Sequence, residues 1–174
     1  GENAMKTALS ALTFVALAGA APAAEAPAGP CDTPEHRAFD FWVGDWTVTA
    51  TGDPANAAGV NHIALAHGGC VLVENWTGAS GLTGMSQNIF ADGAWHQIWT
   101  DSSGGLLQMT GGIEGGAMRM QTTEPTSWGD DTPGLQRITW TPNPDGSVRQ
   151  HGERSADGGK TWTTNFDLTY RRTP

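Results

Sequence analysis

The sequence predicts an all-β protein: a single antiparallel up-and-down β-barrel of about ten strands, with a short helical turn near its N-terminus. Short segments of alternating apolar and polar residues run from Trp46 to Arg171, as expected for half-buried strands. Turn-forming pairs such as Asp92-Gly93 separate these segments at hairpin spacing. No long helical pattern lies between them, so neighbouring strands are predicted to pair in chain order.

The first residues are predicted to be absent from the mature protein. Residues 1–4 precede the first methionine and are interpreted as added residues, and residues 5–23 have the pattern of a secretory signal. That pattern comprises Lys6, an apolar run over residues 8–20, and small residues that place the cleavage near Ala23. The apolar run is too short to span a bilayer. We therefore expect a periplasmic or secreted protein.

The segment after the signal is predicted to form an extension and a helical turn that lead into the first strand. Residues 24–38 form an N-terminal extension that ends in one helical turn, and residues 39–174 are assigned to the barrel domain. Thr33 is a possible N-cap of this turn, and Pro34 suits the first helical position because no amide donor is needed there. An aromatic stretch, residues 39–46, then leads into the first strand.

Ten strands are predicted from the alternation. Their approximate ranges are 46–51, 59–66, 71–77, 84–90, 95–100, 106–113, 117–123, 135–141, 147–154 and 161–171. The breaks between them contain Gly, Asp or Ser, which suit hairpin reversals. The longer break at residues 124–133 carries two prolines and is predicted to be an exposed loop. Pairing of the long last strand with the first would close the sheet and remove its free edges.

The composition restricts the compartment and the partners. Two cysteines in an exported chain are predicted to form a disulfide, Cys31 to Cys70, which would tie the N-terminal segment to a later strand. The formal net charge of −9 argues against nucleic acid or an anionic membrane as a partner, because both require a basic face. No membrane span is predicted, and the oligomeric state is left open.

The sequence of residues 39–46, Phe-Asp-Phe-Trp-Val-Gly-Asp-Trp, resembles the opening of lipocalin-like, or calycin, β-barrels. That superfamily carries a short N-terminal helix, a Gly-x-Trp on the first strand, and a basic residue near the last strand that stacks over the tryptophan. Gly44 and Trp46 match the Gly-x-Trp, and Arg171 or Arg172 is placed for the basic residue. The chain is also similar to uncharacterised exported bacterial proteins with a Phe-Asp-Phe-Trp-x-Gly-x-Trp opening. The resemblance implies a barrel wide enough to enclose a small ligand.

The inward face of such a barrel would form the site. Strand parity places Gln97 between Trp95 and Trp99 on one face, and Glu74 beside Trp76 on another. The predicted ligand-binding residues are Glu74, Trp76, Ser86, Asn88, Gln97, Trp99, Trp140 and Gln150. A cavity with aromatic walls and a few polar groups suits a small apolar or aromatic ligand. With the opposite parity, the pocket candidates would be Asn75, Gln87 and His96.

Several functions remain open from the sequence. The favoured one is a barrel that binds a small molecule, with no catalytic residue, cofactor or metal predicted. The second is an isomerase or cyclase that uses Glu74 with His96 or His151, since a carboxyl desolvated beside a tryptophan has a raised pKa. The third is a haem-binding barrel with one of these histidines as the iron ligand, resembling the nitrobindin branch of related barrels. Residues 47–49 depart from that branch's glycine-rich continuation after the Gly-x-Trp. A barrel filled by its own side chains would leave only a structural or surface role.

Residues 155–162, Ser-Ala-Asp-Gly-Gly-Lys-Thr-Trp, fit the Ser-x-Asp-x-Gly-x-Thr-Trp pattern of an Asp-box, a motif that sialidases carry several times. We interpret this copy as a rigid hairpin, in which the serine and aspartate bond turn amides and the tryptophan packs beneath them. The five histidines show no metal-ligand spacing with one another or with a cysteine. A metal site is therefore not predicted.

Overall fold

A computed structural model describes residues 29–129 and 132–174. The predicted signal segment lies outside these residues. Ten antiparallel strands close into one barrel, each paired with its neighbours in chain order and the last with the first, which confirms the predicted fold class. A helix, α1 (Pro34–Arg37), and a 3₁₀ turn (Asp40–Trp42) precede the strands. The strands are β1 (Gly44–Ala50), β2 (Asp53–Ala66), β3 (Val71–Gly78), β4 (Thr83–Ala91), β5 (Ala94–Asp101), β6 (Leu106–Glu114), β7 (Ala117–Gln121), β8 (Leu135–Pro142), β9 (Val148–Ser155) and β10 (Thr163–Arg172).

Strand β2 differs most from its predicted range, because it begins at Asp53 rather than near residue 59. Its first part pairs with the end of β1 through two irregular steps between Val48 and Ala50. Residues 53–57 are all exposed. Alternation of apolar and polar residues could not indicate this part, because neither of its faces is buried against a core.

One end of the barrel is closed by the N-terminal plug, which we define as residues 34–42. Phe39 and Trp42 are fully buried in it and stack on each other, with ring centroids 5.0 Å apart. Both rings also contact Trp140 of β8. Large aromatic rings in mutual contact contribute most of the buried area in such a cluster. The plug therefore seals this end by aromatic packing.

A disulfide between Cys31 and Cys70 fastens the plug to the barrel, as predicted. Cys70 directly precedes β3, so the bridge ties the N-terminal segment to the start of that strand. Arg37 adds a hydrogen bond from its guanidinium to the carbonyl just before Cys70. Thr33 precedes α1, but its hydroxyl contacts Nδ1 of His36 instead of capping a backbone amide. The plug is thus held by covalent, aromatic and arginine contacts.

Strands β1 and β10 close the barrel, and their register decides which arginine covers Trp46. Trp46 pairs with Arg172, and Thr47 pairs with Arg171. Arg172 therefore shares the face of Trp46, and its Cζ lies 4.1 Å from the indole centroid. Arg171 lies on the opposite face, 3.4 Å from the carboxylate of Asp145. Of the two candidate arginines, Arg172 covers the tryptophan and Arg171 does not.

The hairpin between β9 and β10 has the geometry expected of an Asp-box turn. Asp157 accepts hydrogen bonds from the amides of Lys160 and Thr161, at 3.0 and 2.9 Å. The hydroxyl of Ser155 accepts a hydrogen bond from the amide of Gly159, at 2.8 Å. Trp162 donates its indole N–H back to a turn carbonyl, at 3.1 Å. The motif is a rigid turn at the end of the barrel opposite the plug.

Candidate functional site

The barrel encloses a cavity of about 160 Å³ at the end opposite the plug. Strand β3 runs from the plug at Cys70 toward the open end, so Trp76 lies nearer the mouth than Glu74. Apolar side chains form the walls of the cavity: Trp76, Leu82, Trp99, Leu107, Trp128, Ile138, Phe166 and Leu168. Polar side chains form its floor: Glu74, Gln97, Gln150 and Tyr170. The cavity is an aromatic pocket with a polar floor.

Three aromatic rings of the wall rest on inward-facing glycines of neighbouring strands. The pairs are Trp76 on Gly59, Trp99 on Gly84, and Phe166 on Gly152. A Cβ on Gly84 or Gly152 would overlap the ring it faces, and a Cβ on Gly59 would overlap the carbonyl of Thr77 as well as the edge of the Trp76 ring. The missing side chain is what allows each ring to lie close against the sheet. The aromatic walls are therefore fixed by the strands that carry them.

Asp101 fixes two indoles at the rim of the cavity. Its Oδ2 accepts hydrogen bonds from Nε1 of Trp99, at 3.0 Å, and from Nε1 of Trp128, at 3.4 Å. Trp128 belongs to the loop between β7 and β8, so this carboxylate joins that loop to β5. Burial opposes ionisation of Asp101, but hydrogen bonds from Ser103, Trp99 and backbone amides outweigh it and lower its pKa to about 2. The rim carboxylate is therefore ionised at neutral pH.

The floor belongs to a continuous chain of hydrogen bonds across the barrel interior, which we call the polar belt. In order, its members are Gln97, Asn88, Ser86, Glu74, Asn61, Tyr170 and Gln150. The bonds between successive members are 2.6 to 3.3 Å long. The members come from six strands, β5, β4, β3, β2, β10 and β9. Each of these side chains thus has at least one partner inside the barrel, as buried polar groups require, although Oδ1 of Asn61 has none among the described residues.

Glu74 is the ionisable centre of the polar belt. Asn61 Nδ2 donates to its Oε1 and Ser86 Oγ donates to its Oε2, both at 2.7 Å. Glu74 is only 4 % exposed, and this burial raises its pKa to about 7 although both hydrogen bonds oppose the rise. Burial also raises the pKa of Tyr170 well above its ordinary value, and the charge of Glu74 adds to that rise. No Lys, Arg or His side chain of the described residues lines the cavity.

Two amides of the polar belt keep an unused group at the floor. Gln97 donates through Nε2 to Asn88, at 2.8 Å, which leaves its Oε1 as an acceptor. Gln150 accepts through Oε1 from the Tyr170 hydroxyl, at 2.6 Å, which leaves its Nε2 as a donor. Neither remaining atom bonds another described residue. The floor can therefore offer a carboxyl, an amide acceptor and an amide donor to a molecule in the cavity.

The predicted ligand-binding residues occupy three kinds of position. Ser86 and Asn88 are fully buried and support Glu74 from behind through the polar belt. Trp140 is fully buried among the aromatic rings of the plug and does not line the cavity, because β8 runs from the mouth toward the closed end. The others line the cavity: Glu74, Trp76, Gln97, Trp99 and Gln150.

The cavity also has residues that the sequence analysis missed. They are Leu82, Leu107, Trp128, Ile138, Phe166, Leu168 and Tyr170. Phe166, Leu168 and Tyr170 alternate along β10, so their shared parity was a usable signal. Trp128 lies in the loop predicted to be exposed, where no periodicity can place a side chain. That loop instead contributes a half-buried indole to the wall.

The histidines considered for acid–base or haem chemistry lie outside the cavity. His96 and His151 occupy outward positions of β5 and β9, where each ring bonds a neighbouring oxygen. Each is adjacent to an inward glutamine, so its side chain points away from Glu74. A cavity of about 160 Å³ is also far too small for haem. The residues present fit neither a Glu–His pair nor a haem site. In the described part of the chain, no three His, Cys, Asp or Glu side chains are grouped as metal ligands.

No protein-family model matches the chain, and no curated protein matches it in sequence. Within residues 29–129 and 132–174, none of the helices is long and apolar enough to cross a membrane. The function is therefore inferred from the geometry of the cavity and of the side chains around it.

Proposed function

We propose that this protein is an exported, calycin-like barrel that binds one small apolar or aromatic molecule in its cavity. The observation that carries the proposal is the cavity itself. Its walls are aromatic side chains of neighbouring strands, and its floor has polar groups without a partner in the described part of the chain. An apolar lining with a few placed polar groups is the usual construction of a small-molecule site. The disulfide supports export, because such bonds form and persist in oxidising compartments.

The calycin-like assignment is supported by the contacts of the Gly-x-Trp. Trp46 Nε1 donates to the carbonyl of Trp42 in the plug, at 2.8 Å. Arg172 stacks on Trp46 and donates to the carbonyl of Val43, at 2.6 Å. Gly44 has a φ of +141°, and a Cβ there would overlap the Arg172 guanidinium. The 3₁₀ turn, the Gly-x-Trp and the arginine are thus in direct contact, which supports the resemblance.

The volume limits the ligand to about one aromatic ring with a short substituent. An apolar protein cavity of about 150 Å³ accommodates benzene. The cavity of about 160 Å³ is of the same size, and it has polar atoms at its floor. A ring that stacks between the indoles and carries one hydrogen-bonding group would use both features.

Filling the cavity tests the proposal. Leu107 is 2 % exposed and lines the cavity, whereas the preceding Leu106 is 53 % exposed on the outer face. We expect Leu107→Trp to abolish the binding of single-ring probes such as benzyl alcohol and benzylammonium, and Leu106→Trp to leave it unchanged. Calorimetric titration measures the binding, and urea unfolding verifies that both variants are folded. Wild-type affinity in Leu107→Trp would contradict a site in this cavity.

A further inference from the structure

We propose that the ligand is a small organic cation, an amine that carries its positive charge as an ammonium, held between Glu74 at the floor and the indoles of the wall. This inference rests on the proposed function and names the chemical class of ligand for the same cavity. Four features of the cavity support it: its charges, its acceptors, its aromatic faces and the state of Glu74.

The charged groups around the cavity are acidic. Glu74 lies at the floor and Asp101 at the rim, and no basic side chain of the described residues lines the space between them. Asp101 accepts hydrogen bonds from two indoles and from groups of its own turn, whereas Glu74 has only two partners among the described residues, an amide from Asn61 and a hydroxyl from Ser86, both neutral. A cationic ligand would supply the opposite charge that the protein does not place there.

The unused hydrogen-bonding groups of the floor suit a donor-rich ligand. An ionised carboxylate has about four acceptor positions, and Glu74 uses two of them. Gln97 Oε1 adds an acceptor, whereas Gln150 Nε2 is the one unused donor among the polar side chains that line the floor. An ammonium offers up to three donors and can use these acceptors. A carboxylate ligand would find one donor and a facing negative charge.

The walls favour a cation over a neutral molecule of the same shape. Trp76, Trp99 and Trp128 surround the cavity, and an ammonium close to the face of an indole is attracted by its ring electrons. Two of these indoles, Trp99 and Trp128, donate their N–H groups to the Asp101 carboxylate. A negative acceptor on the indole N–H increases the electron density of the ring, which strengthens its attraction for a cation.

The burial of Glu74 couples the binding of a cation to the loss of a proton from its carboxyl group. Burial holds its pKa at about 7, and Tyr170 from β10 is the titratable side chain that faces it. Asn61 from β2 and Ser86 from β4 are its neutral neighbours. An ammonium stabilises the ionised carboxylate, so its binding at neutral pH should release a proton. A neutral ligand has no such preference.

Three single-ring probes of similar size separate this inference from the proposed function. They are benzylammonium, benzyl alcohol and benzoate, whose substituents are positive, neutral and negative. We expect benzylammonium to bind about tenfold more tightly than benzyl alcohol, and benzoate not to bind. Benzyl alcohol binding as tightly as benzylammonium would overturn the inference and leave the proposed function standing. No binding of any probe would overturn both.

Two glutamate variants locate the selectivity. Glu74→Gln should lose most of the preference for benzylammonium over benzyl alcohol and keep only the part that the indoles contribute. Glu114→Gln is the matched control, because Glu114 is exposed on the outer face and pairs with Arg119 at 2.9 Å. It removes the same charge from the protein and should keep the selectivity. Equal loss of selectivity in both variants would assign it to net charge and overturn the role of Glu74.

The proton balance is the decisive readout. Calorimetry at pH 7 in two buffers of different ionisation enthalpy should show proton release when benzylammonium binds the wild type, and none in Glu74→Gln. The affinity for benzylammonium should rise about tenfold between pH 6 and pH 8 as the carboxyl ionises. An affinity independent of pH, with no proton release, would overturn the inference even if benzylammonium binds.

Discussion

The guanidinium of Arg172 lies over the indole of Trp46, with 4.1 Å between Cζ and the ring centroid, and joins the last strand to the first. The same guanidinium donates to the carbonyl of Val43, where the plug ends. One side chain therefore contacts both strands at the closure of the barrel and the segment that seals its end. The stability of the barrel should depend strongly on this contact.

Arg172→Ala is expected to lower the free energy of unfolding by about 1–3 kcal/mol, because it removes a cation–π contact and a charged hydrogen bond. Arg171→Ala is the matched control, since its exposed ion pair with Asp145 is worth about 0–1 kcal/mol. Trp46→Ala should cost about 3–5 kcal/mol, as a buried tryptophan does. Urea unfolding measures all three variants. Equal losses for the two arginine variants would contradict the role of Arg172.

Replacing Cys31 and Cys70 together by serine should lower the free energy of unfolding by about 4 kcal/mol, because the bridge closes a loop of 39 residues in the unfolded chain. The wild type unfolded with and without a reducing agent provides a comparison that needs no substitution. Non-reducing peptide mass spectrometry should show the two cysteine peptides linked. A double variant as stable as the oxidised wild type would mean that the plug docks without help from the bridge.

The buried carboxyl of Glu74 should make the protein less stable as the pH rises. Its pKa increases from an ordinary 4.5 to about 7 on folding, so between these values the folded state holds a proton that the unfolded state has lost. The free energy of unfolding should therefore fall across this window by about 3 kcal/mol and stay level above it. Other groups also titrate, so the quantity to follow is the difference between the wild type and Glu74→Gln. A difference that is constant from pH 4 to pH 8 would contradict the burial of an ionisable Glu74.

Alanine at Gly84 should displace the ring of Trp99 and lower the free energy of unfolding by about 1–3 kcal/mol, as overpacking does. Gly112→Ala is the control, because that glycine lies in β6 with open space around its Cβ position. It should be neutral or slightly stabilising. Urea unfolding gives the stabilities, and tryptophan fluorescence reports the moved indole. Equal losses of stability in Gly84→Ala and Gly112→Ala would mean that the position of the Trp99 ring does not depend on Gly84.

Strand parity could identify some of the inward polar residues, for a physical reason, although Asn61 and Tyr170 of the polar belt were missed. Gln97 alternates with Trp95 and Trp99, and these rings have to face a core, so the amide between them faces it too. Parity gives no position along the barrel axis. Trp140 shares the inward face of Ile138 but lies one step nearer the plug, and this step removes it from the cavity.

The remaining features depend on contacts that no single strand contains. The choice of Arg172 over Arg171 is made by the register between β1 and β10. Trp128 is brought to the wall by a hydrogen bond to Asp101, two residues that are far apart in the chain. An inward glycine such as Gly84 has no side chain to reveal its face. Local patterns could not supply these relationships because each one is created when the barrel closes.

The sealed plug has a kinetic consequence for any molecule in the cavity. In the described part of the chain, Phe39 and Trp42 block one end, so arrival and departure follow the same path past the rim. The rates of binding and release are then limited by the same free-energy barrier at the rim. A substitution at the rim that changes only this barrier alters both rates by the same factor and leaves the dissociation constant unchanged. A weakly bound guest can therefore have a long residence time, and can survive the purification of the protein.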